Sequence, residues 1–257
     1  IRRLLKINRT TGIKARSLVS TYDVGFTNAA EPLLIADMDA LFRSVGVDMT
    51  LSLSHSVDLT LLHGVGYARG LPILRAAAQL THGAIVRGRS ARILCFAYEL
   101  STPNVRYELD AAARCVDLSQ LCIAGVLFSD AAAANVLCND LGMQEGVKLS
   151  INSLRPCDKL NFPDFDWALH PGGQLIIEKV KQAMGLSEDQ LRATYETYKT
   201  RGNSSSPSVL IVMDKLRSGR SEKDFVIATA FGLGLATEMS MLRRCSDNDD
   251  VKAEKRR

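Results

Sequence analysis

The stretch LLHGVGYARGLPILRAAAQL, Leu61 to Leu80, constrains the fold more than any other part of this chain. An apolar strand end runs into a turn broken by Gly64, Gly66 and Gly70, and the turn opens onto a helix whose alternating small and large residues make a buried packing face. A thiolate at the tip of such a helix is stabilised by unsatisfied backbone N–H groups and by the helix dipole. The centre of this turn instead carries Tyr67 and Arg69, a phenol and a cation. A phenol, with an ordinary pKa of about 10, is a weak nucleophile at neutral pH. Ala68 fills the serine position of a GxSxG elbow, so the turn is not that motif either.

Around this stretch helix and strand signals alternate, which predicts an α/β architecture with layered sheets. PLLIADMDALFRSVGVDM reads as a helix, VDLTLL as a buried strand, GLPILRAAAQLTHG as a helix and ARILCFAYEL as a strand. LCIAGVLFSDAAAANVL reads as helix into strand, DFDWALH as a strand, and GGQLIIEKVKQAMG as a helix closed by Gly185. SEDQLRATYETYKTRG carries a Ser187 cap and a Gly202 stop, and SSSPSVLIVMDKLRSG places serines at a helix start with Pro207 in its first turn. FVIATAFGLGLATEMSMLRR reads as two strands joined across Gly232 and Gly234.

Two stretches break the rhythm: Val47 to Ser56 switches period within a few residues, and Met143 to Phe162 sustains none. The expected organisation is an N-terminal half over 1–142, a linker over 143–163, a C-terminal half over 164–245, and a charged, disordered tail over 246–257. With 257 residues and 46% apolar content the chain is long enough for one large domain or two fused halves.

Net charge narrows the partners: 32 basic against 28 acidic residues form no basic stripe, which argues against nucleic acid and leaves a small anionic ligand open. Six cysteines without a CxxC pair and four histidines argue against a metal site or a disulfide framework. The expectation is reduced, mostly buried thiols in a cytosolic, cytoplasmic protein. No apolar run approaches the ~20 residues that span a bilayer, and IRRLLKINR lacks a signal h-region, so no membrane role is expected.

Three further places carry candidate chemistry. In LHPGG, His170 follows a strand and faces the crevice where α/β proteins bind ligands. It is there as a general base or oxyanion donor, or as a loop histidine satisfied by hydrogen bonds. In RGNSSSP, Asn203 offers an amide donor, or Asn203 or Ser204 simply caps the helix. In FGLG, Gly232 and Gly234 permit close backbone approach to a ligand, or only a tight turn.

Taken in order, these pieces resemble the type III polyketide synthases, the chalcone and stilbene synthase family, and most of all its fungal members. LLHGVGYARGLPILRAAAQ resembles the nucleophile segment, where HGVG precedes Cys, Ala, Gly, Gly. VLFSDAAAA resembles LFGDGAAA, DWALHPGG the histidine segment, YKTRGNSSSPSVLIVMDKLR the asparagine segment, and AFGLGLATEMSMLRR the GFGPG loop with its strand. The resemblance runs from about Lys6 to Arg244.

It implies a thiolase-like fold of two related halves in αβαβα layers, working as a homodimer. The implied activity is acyl transfer from coenzyme A thioesters without a further cofactor: a starter acyl-CoA is loaded on the cysteine and extended with malonyl-CoA by decarboxylative Claisen condensation. His170 and Asn203 then hold the thioester oxygen, Phe128 is a gatekeeper between coenzyme tunnel and cavity, Gly232 and Gly234 line the substrate, and Arg3 and Lys6 meet the coenzyme A phosphates. This chain departs from the pattern at Tyr67 and Arg69, at Ser129 and Ala131 in place of the glycines of GDG, and at Leu233 in place of the loop proline. A helix and strand before VDLTLL, and cavity wall between Met143 and Phe162, have no counterpart. Three readings follow: polyketide formation as in the family, a silent homologue that binds acyl-CoA or pairs with an active subunit, and a degenerate gene product.

Overall fold

The computed structural model describes residues 8–18, 59–63, 70–115, 117, 122–142, 149–151, 162–219, 223–232 and 236–244. The predicted helix at Pro32 to Met49, the irregular stretch at Val47 to Ser56 and the tail over 246–257 lie outside them.

Two sheets form the frame. In the first, β1 (Leu59–His63) runs parallel to β2 (Arg92–Glu99), which pairs antiparallel with β3 (Ala131–Cys138). In the second, β5 (Phe165–Leu169) runs parallel to β6 (Phe225–Phe231), which pairs antiparallel with β7 (Thr237–Arg244). The parallel-then-antiparallel order repeats, so the two halves are built on one plan. The stretch with no sustained period contributes a short strand, β4 (Leu149–Ile151), on the far side of β7.

Two helices lie between the sheets. Helix α1 (Gly70–Val86) connects β1 to β2, and its buried residues Leu71, Ile73, Leu74, Ala77 and Thr81 make one stripe at helical spacing. Two helices lie between β2 and β3 along the chain, α2 (Thr102–Arg114) and the single-turn α3 (Ala124–Leu127). On the outer face of the second sheet lie α4 (Gln174–Met184) and α5 (Arg192–Arg201), and α6 (Ser206–Ser218) precedes β6.

Helix α6 matches α1 in place and is buried nearly all round, from Ser206 to Leu216. The central core joins Leu71, Leu74 and Ala77 of α1, Val209, Val212 and Leu216 of α6, Ile93 and Cys95 of β2, and Ala168, Val226 and Ala228 of the second sheet. Strand β5 shows why side matters: small Ala168 faces the central helices, while Phe165, Trp167 and Leu169 pack on the other face with Ile177, Leu191 and Tyr198. All five β5 residues are buried, Asp166 among them, its carboxylate paired with Arg244 Nη2 at 2.7 Å.

Most predicted elements are present, with Gly185 closing α4 in the left-handed region at φ 63° and Gly202 ending α5 at φ 74°. The Ser187 cap is a correction. Helix α5 begins at Arg192, because Ser187 and Gln190 bond each other (2.9 and 3.2 Å) in a separate turn. Gln190 is held there by Nε2 donating to the carbonyls of Phe162 and Phe165 (2.8 and 3.0 Å), which ties the turn to the start of β5. A second correction concerns the thiols: of the four cysteines described only Cys95 is buried, and Cys122 is exposed. Helix α2 has no counterpart in the sequence reading. Its N-terminal N–H groups are capped from a distance, by the Asp130 carboxylate accepting from Ser101 and Thr102.

Candidate active site

Among the described residues the site is assembled from four chain segments that the fold brings to one edge of the central helices. His170 directly follows β5, and its N–H donates to the Thr229 carbonyl at 2.8 Å, extending the β5–β6 ladder by one step. Its own carbonyl accepts from Gly172 N–H at 2.8 Å, a three-residue turn that sends Pro171 and Gly172 back across the ring. The side chain is 4% exposed and Nδ1 has no hydrogen-bond partner among the described residues. Burial pushes the imidazole pKa down to about 4, so the ring is neutral at physiological pH and carries a single N–H.

Asn203 follows the Gly202 stop of α5. Its backbone makes a one-step parallel bridge with Phe128: Asn203 N–H donates to Leu127 O at 3.0 Å, and Ser129 N–H donates to Asn203 O at 2.9 Å. Gly202 is required here on two counts, its positive φ and a Cβ that would fall 2.8 Å from Leu127 O. The side-chain amide is fixed by both its ends. Oδ1 accepts from Ser205 N–H at 2.8 Å, and Nδ2 donates to Gly172 O at 3.2 Å, leaving its second N–H for a ligand. Gly172 is thus the common point: it takes the Asn203 amide on its carbonyl, and a Cβ on it would sit 3.5 Å from His170 Nε2. Neutral imidazole and fixed amide thus flank one glycine, two uncharged groups that each carry an N–H able to donate to a developing oxyanion.

Neither Asn203 nor Ser204 caps α6, which corrects the capping alternative; the cap is Ser205, with no side-chain cap bond. Ser205 is the only non-glycine with positive φ among the described residues, at φ 53° and ψ −119°. Sequence reasoning missed the hydroxyl lining beneath it. Ser129 Oγ and Ser204 Oγ lie 2.8 Å apart, and Ser208 Oγ accepts from Ser204 N–H at 2.8 Å. The signal was the serine run itself, which also serves as ordinary helix-start chemistry.

Phe128 is half-buried at the end of α3, in register with Asn203. Gly232 continues β6 past Thr229, and its N–H closes the turn to β7 on Ala236 O at 2.8 Å. Tyr67, Gly234, Arg3 and Lys6 lie outside the described residues. The helix that Tyr67 introduces begins at Gly70, where a Cβ would come within 2.4 Å of Ser206 O, so the starts of α1 and α6 touch beside Asn203. No group of three or more metal-binding side chains occurs among the described residues, and no described helix is long and apolar enough to cross a membrane. Cys95 offers no substitute thiolate: burial pushes its pKa up to about 12.

The family model for the C-terminal domain of chalcone and stilbene synthases matches residues 142–246, the span holding His170, Asn203 and Gly232. The type III polyketide synthase pspB of Penicillium soppii is 37% identical over 355 residues, covering 97% of this chain and 89% of that protein. The chain belongs to the type III polyketide synthase family. A type III pentaketide synthase structure from Neurospora crassa superposes with a TM-score of 0.80 at 25% identity, covering 95% of this chain and 90% of that one. A structure of CsyB complexed with CoA-SH shares the fold, with a TM-score of 0.72 at 20% identity over 95% of this chain and 91% of that one. This thiolase-like α/β architecture and the polyketide-synthase function therefore go together, and the chain is an acyltransferase by family. The pspB alignment runs over 355 positions, well above the 257 residues of this chain, so internal segments of that synthase have no counterpart here.

Proposed function

We propose that this type III polyketide synthase binds malonyl-CoA and decarboxylates it at His170 and Asn203, without loading an acyl chain at position 67. The observation that carries the reading is the donor pair on Gly172, with Asn203 locked by Ser205 and His170 kept neutral by burial. In the step, the bond between the carboxylate carbon and the methylene breaks and CO2 leaves. The electron pair moves to the thioester oxygen as an enolate, which accepts the Asn203 Nδ2–H and the imidazole N–H, and the enolate carbon then takes a proton from solvent to give acetyl-CoA. Neither donor need change its protonation state. Loading, in contrast, needs a thiolate, and Tyr67 supplies none at neutral pH.

The structure of a fold relative in complex with coenzyme A supports thioester substrates for this chain. Family membership supports further readings: a homodimer in the cytosol, halves at 1–142 and 164–245, Phe128 as gatekeeper, Gly232 and Gly234 at the substrate, and Arg3 and Lys6 on the coenzyme phosphates. Carboxyl-labelled malonyl-CoA with purified protein tests the reading, the expected result being labelled CO2 and acetyl-CoA, both lost in Asn203→Ala. Folded wild-type protein that releases CO2 no faster than buffer overturns it. Tyr67→Cys with Arg69→Gly is expected to add an iodoacetamide-reactive thiol and acyl loading; absence of both would show that more than the nucleophile is missing.

A further inference from the structure

We propose that Arg16 is a positioning residue for Asn203, acting through the backbone of Phe128. In the bridge between Phe128 and Asn203, the hydrogen bonds that face Asn203 come from Leu127 and Ser129, so the Phe128 carbonyl points the other way. Arg16 Nη1 donates to it at 2.8 Å. The same side chain runs under the other strand of the bridge, since a Cβ on Gly202 would lie 3.2 and 3.3 Å from Arg16 Cγ and Cδ. Arg16 therefore reaches both sides of the bridge: its stem lies beside Gly202, the residue before Asn203, and its head holds the carbonyl of Phe128, the residue paired with Asn203.

The segment carrying it is also bonded to α5, which leads into Gly202, and to Asp130, two residues past Phe128. Lys14 and Ala15 N–H groups donate to Lys199 O at the end of α5 (2.7 and 3.2 Å), and Asp130 N–H donates to Ser17 O at 2.7 Å. Burial works against the charge of Arg16, and Asp130 works for it. A cation is retained at this desolvated spot, where a charge-assisted bond to a carbonyl is about twice as strong as a neutral one. A slip of the bridge would tilt the Asn203 amide away from Gly172, so the effect falls on transition-state stabilisation rather than on coenzyme binding.

This inference rests on the decarboxylation reading, and two measurements separate them. The first is hydrogen exchange of the Asn203 and Ser129 amides, which needs no activity. In Arg16→Met, which keeps an apolar stem, these amides are expected to exchange about tenfold faster, with the β5 and β6 amides unchanged, and Arg16→Lys restores most of the protection. The second is CO2 release from labelled malonyl-CoA. Here Arg16→Met lowers kcat about tenfold with KM within about twofold, and adds no further loss to Asn203→Ala. Wild-type exchange rates in folded Arg16→Met, or a full repeat of the kcat loss in the Asn203→Ala background, overturn the proposal. If wild-type protein releases no CO2, the decarboxylation reading fails and the amide exchange alone decides on Arg16. If Arg16→Met does not fold, the comparison of Arg16→Lys, protected, with Arg16→Gln, unprotected, replaces it.

Discussion

The starts of α1 and α6 hold equivalent places in the two halves, each leading into a central helix between the sheets. The sequences ahead of them line up as Gly66-Tyr67-Ala68-Arg69-Gly70 and Gly202-Asn203-Ser204-Ser205-Ser206. The second carries Asn203, held by four hydrogen bonds to neighbouring backbone. The first carries Tyr67, where the family resemblance implies a cysteine, and its helix begins at a glycine pressed against Ser206. The glycine serves helix contact whatever stands three residues before it, so packing at this turn does not depend on the identity of residue 67.

If the second half carries the chemistry, removing its donors has the largest effect. His170→Ala or Asn203→Ala is expected to lower malonyl-CoA decarboxylation by about 10²–10³-fold, the usual cost of one oxyanion donor. A loss below about fivefold in steady-state CO2 release would place the chemistry elsewhere.

Next in size is acid sensitivity. The His170 pKa in the folded state lies near 4, below the ordinary value of 6.5. Above 6.5 the ring is neutral in both states. As pH falls from there to about 4 the unfolded chain binds the proton first, so stability falls by up to about 3 kcal/mol and then levels off. Urea unfolding of wild type and His170→Gln between pH 7 and 4.5 measures this, and parallel slopes would refute it.

The contact between the two helix starts is tested by Gly70→Ala. With Ser206 O only 2.4 Å from the new Cβ, the backbones must part at a cost of about 2 kcal/mol. Gly185→Ala is the control, since a Cβ there meets nothing within 4 Å and only its φ of 63° resists. Equal stability of Gly70→Ala and wild type would mean that the starts do not touch. Smallest is Glu188→Gln, which breaks the exposed pair with Lys181 at 3.0 Å and is expected to cost at most about 0.5 kcal/mol. A larger loss in urea midpoint would give surface charge a role that the buried site does not need.

The sequence made the frame legible because its signals are local. DFDWALH reads as a strand, and α4 ends at Gly185 by its own left-handed turn. His170 was legible for the same reason, one step past a strand end. What stayed hidden depends on distant partners. Asp130 caps α2 from 28 residues away. Gln190 ties the turn after Ser187 to Phe162 and Phe165, 28 and 25 residues back. Arg16 bonds a carbonyl 112 positions along the chain.

By itself the sequence determined the residue types and their order: a glycine-broken stretch with Tyr67 and Arg69 at its centre, a histidine after a buried strand, an asparagine after a glycine stop. Propensity and periodicity act over a few residues, so they fix such things without knowledge of the rest of the chain. Only the tertiary structure decided that Asn203 is a fixed donor rather than a helix cap, and that burial leaves His170 a neutral, only weakly basic imidazole. Amide orientation and imidazole pKa depend on which backbone groups and how much water surround them, and those surroundings come from four segments far apart in sequence.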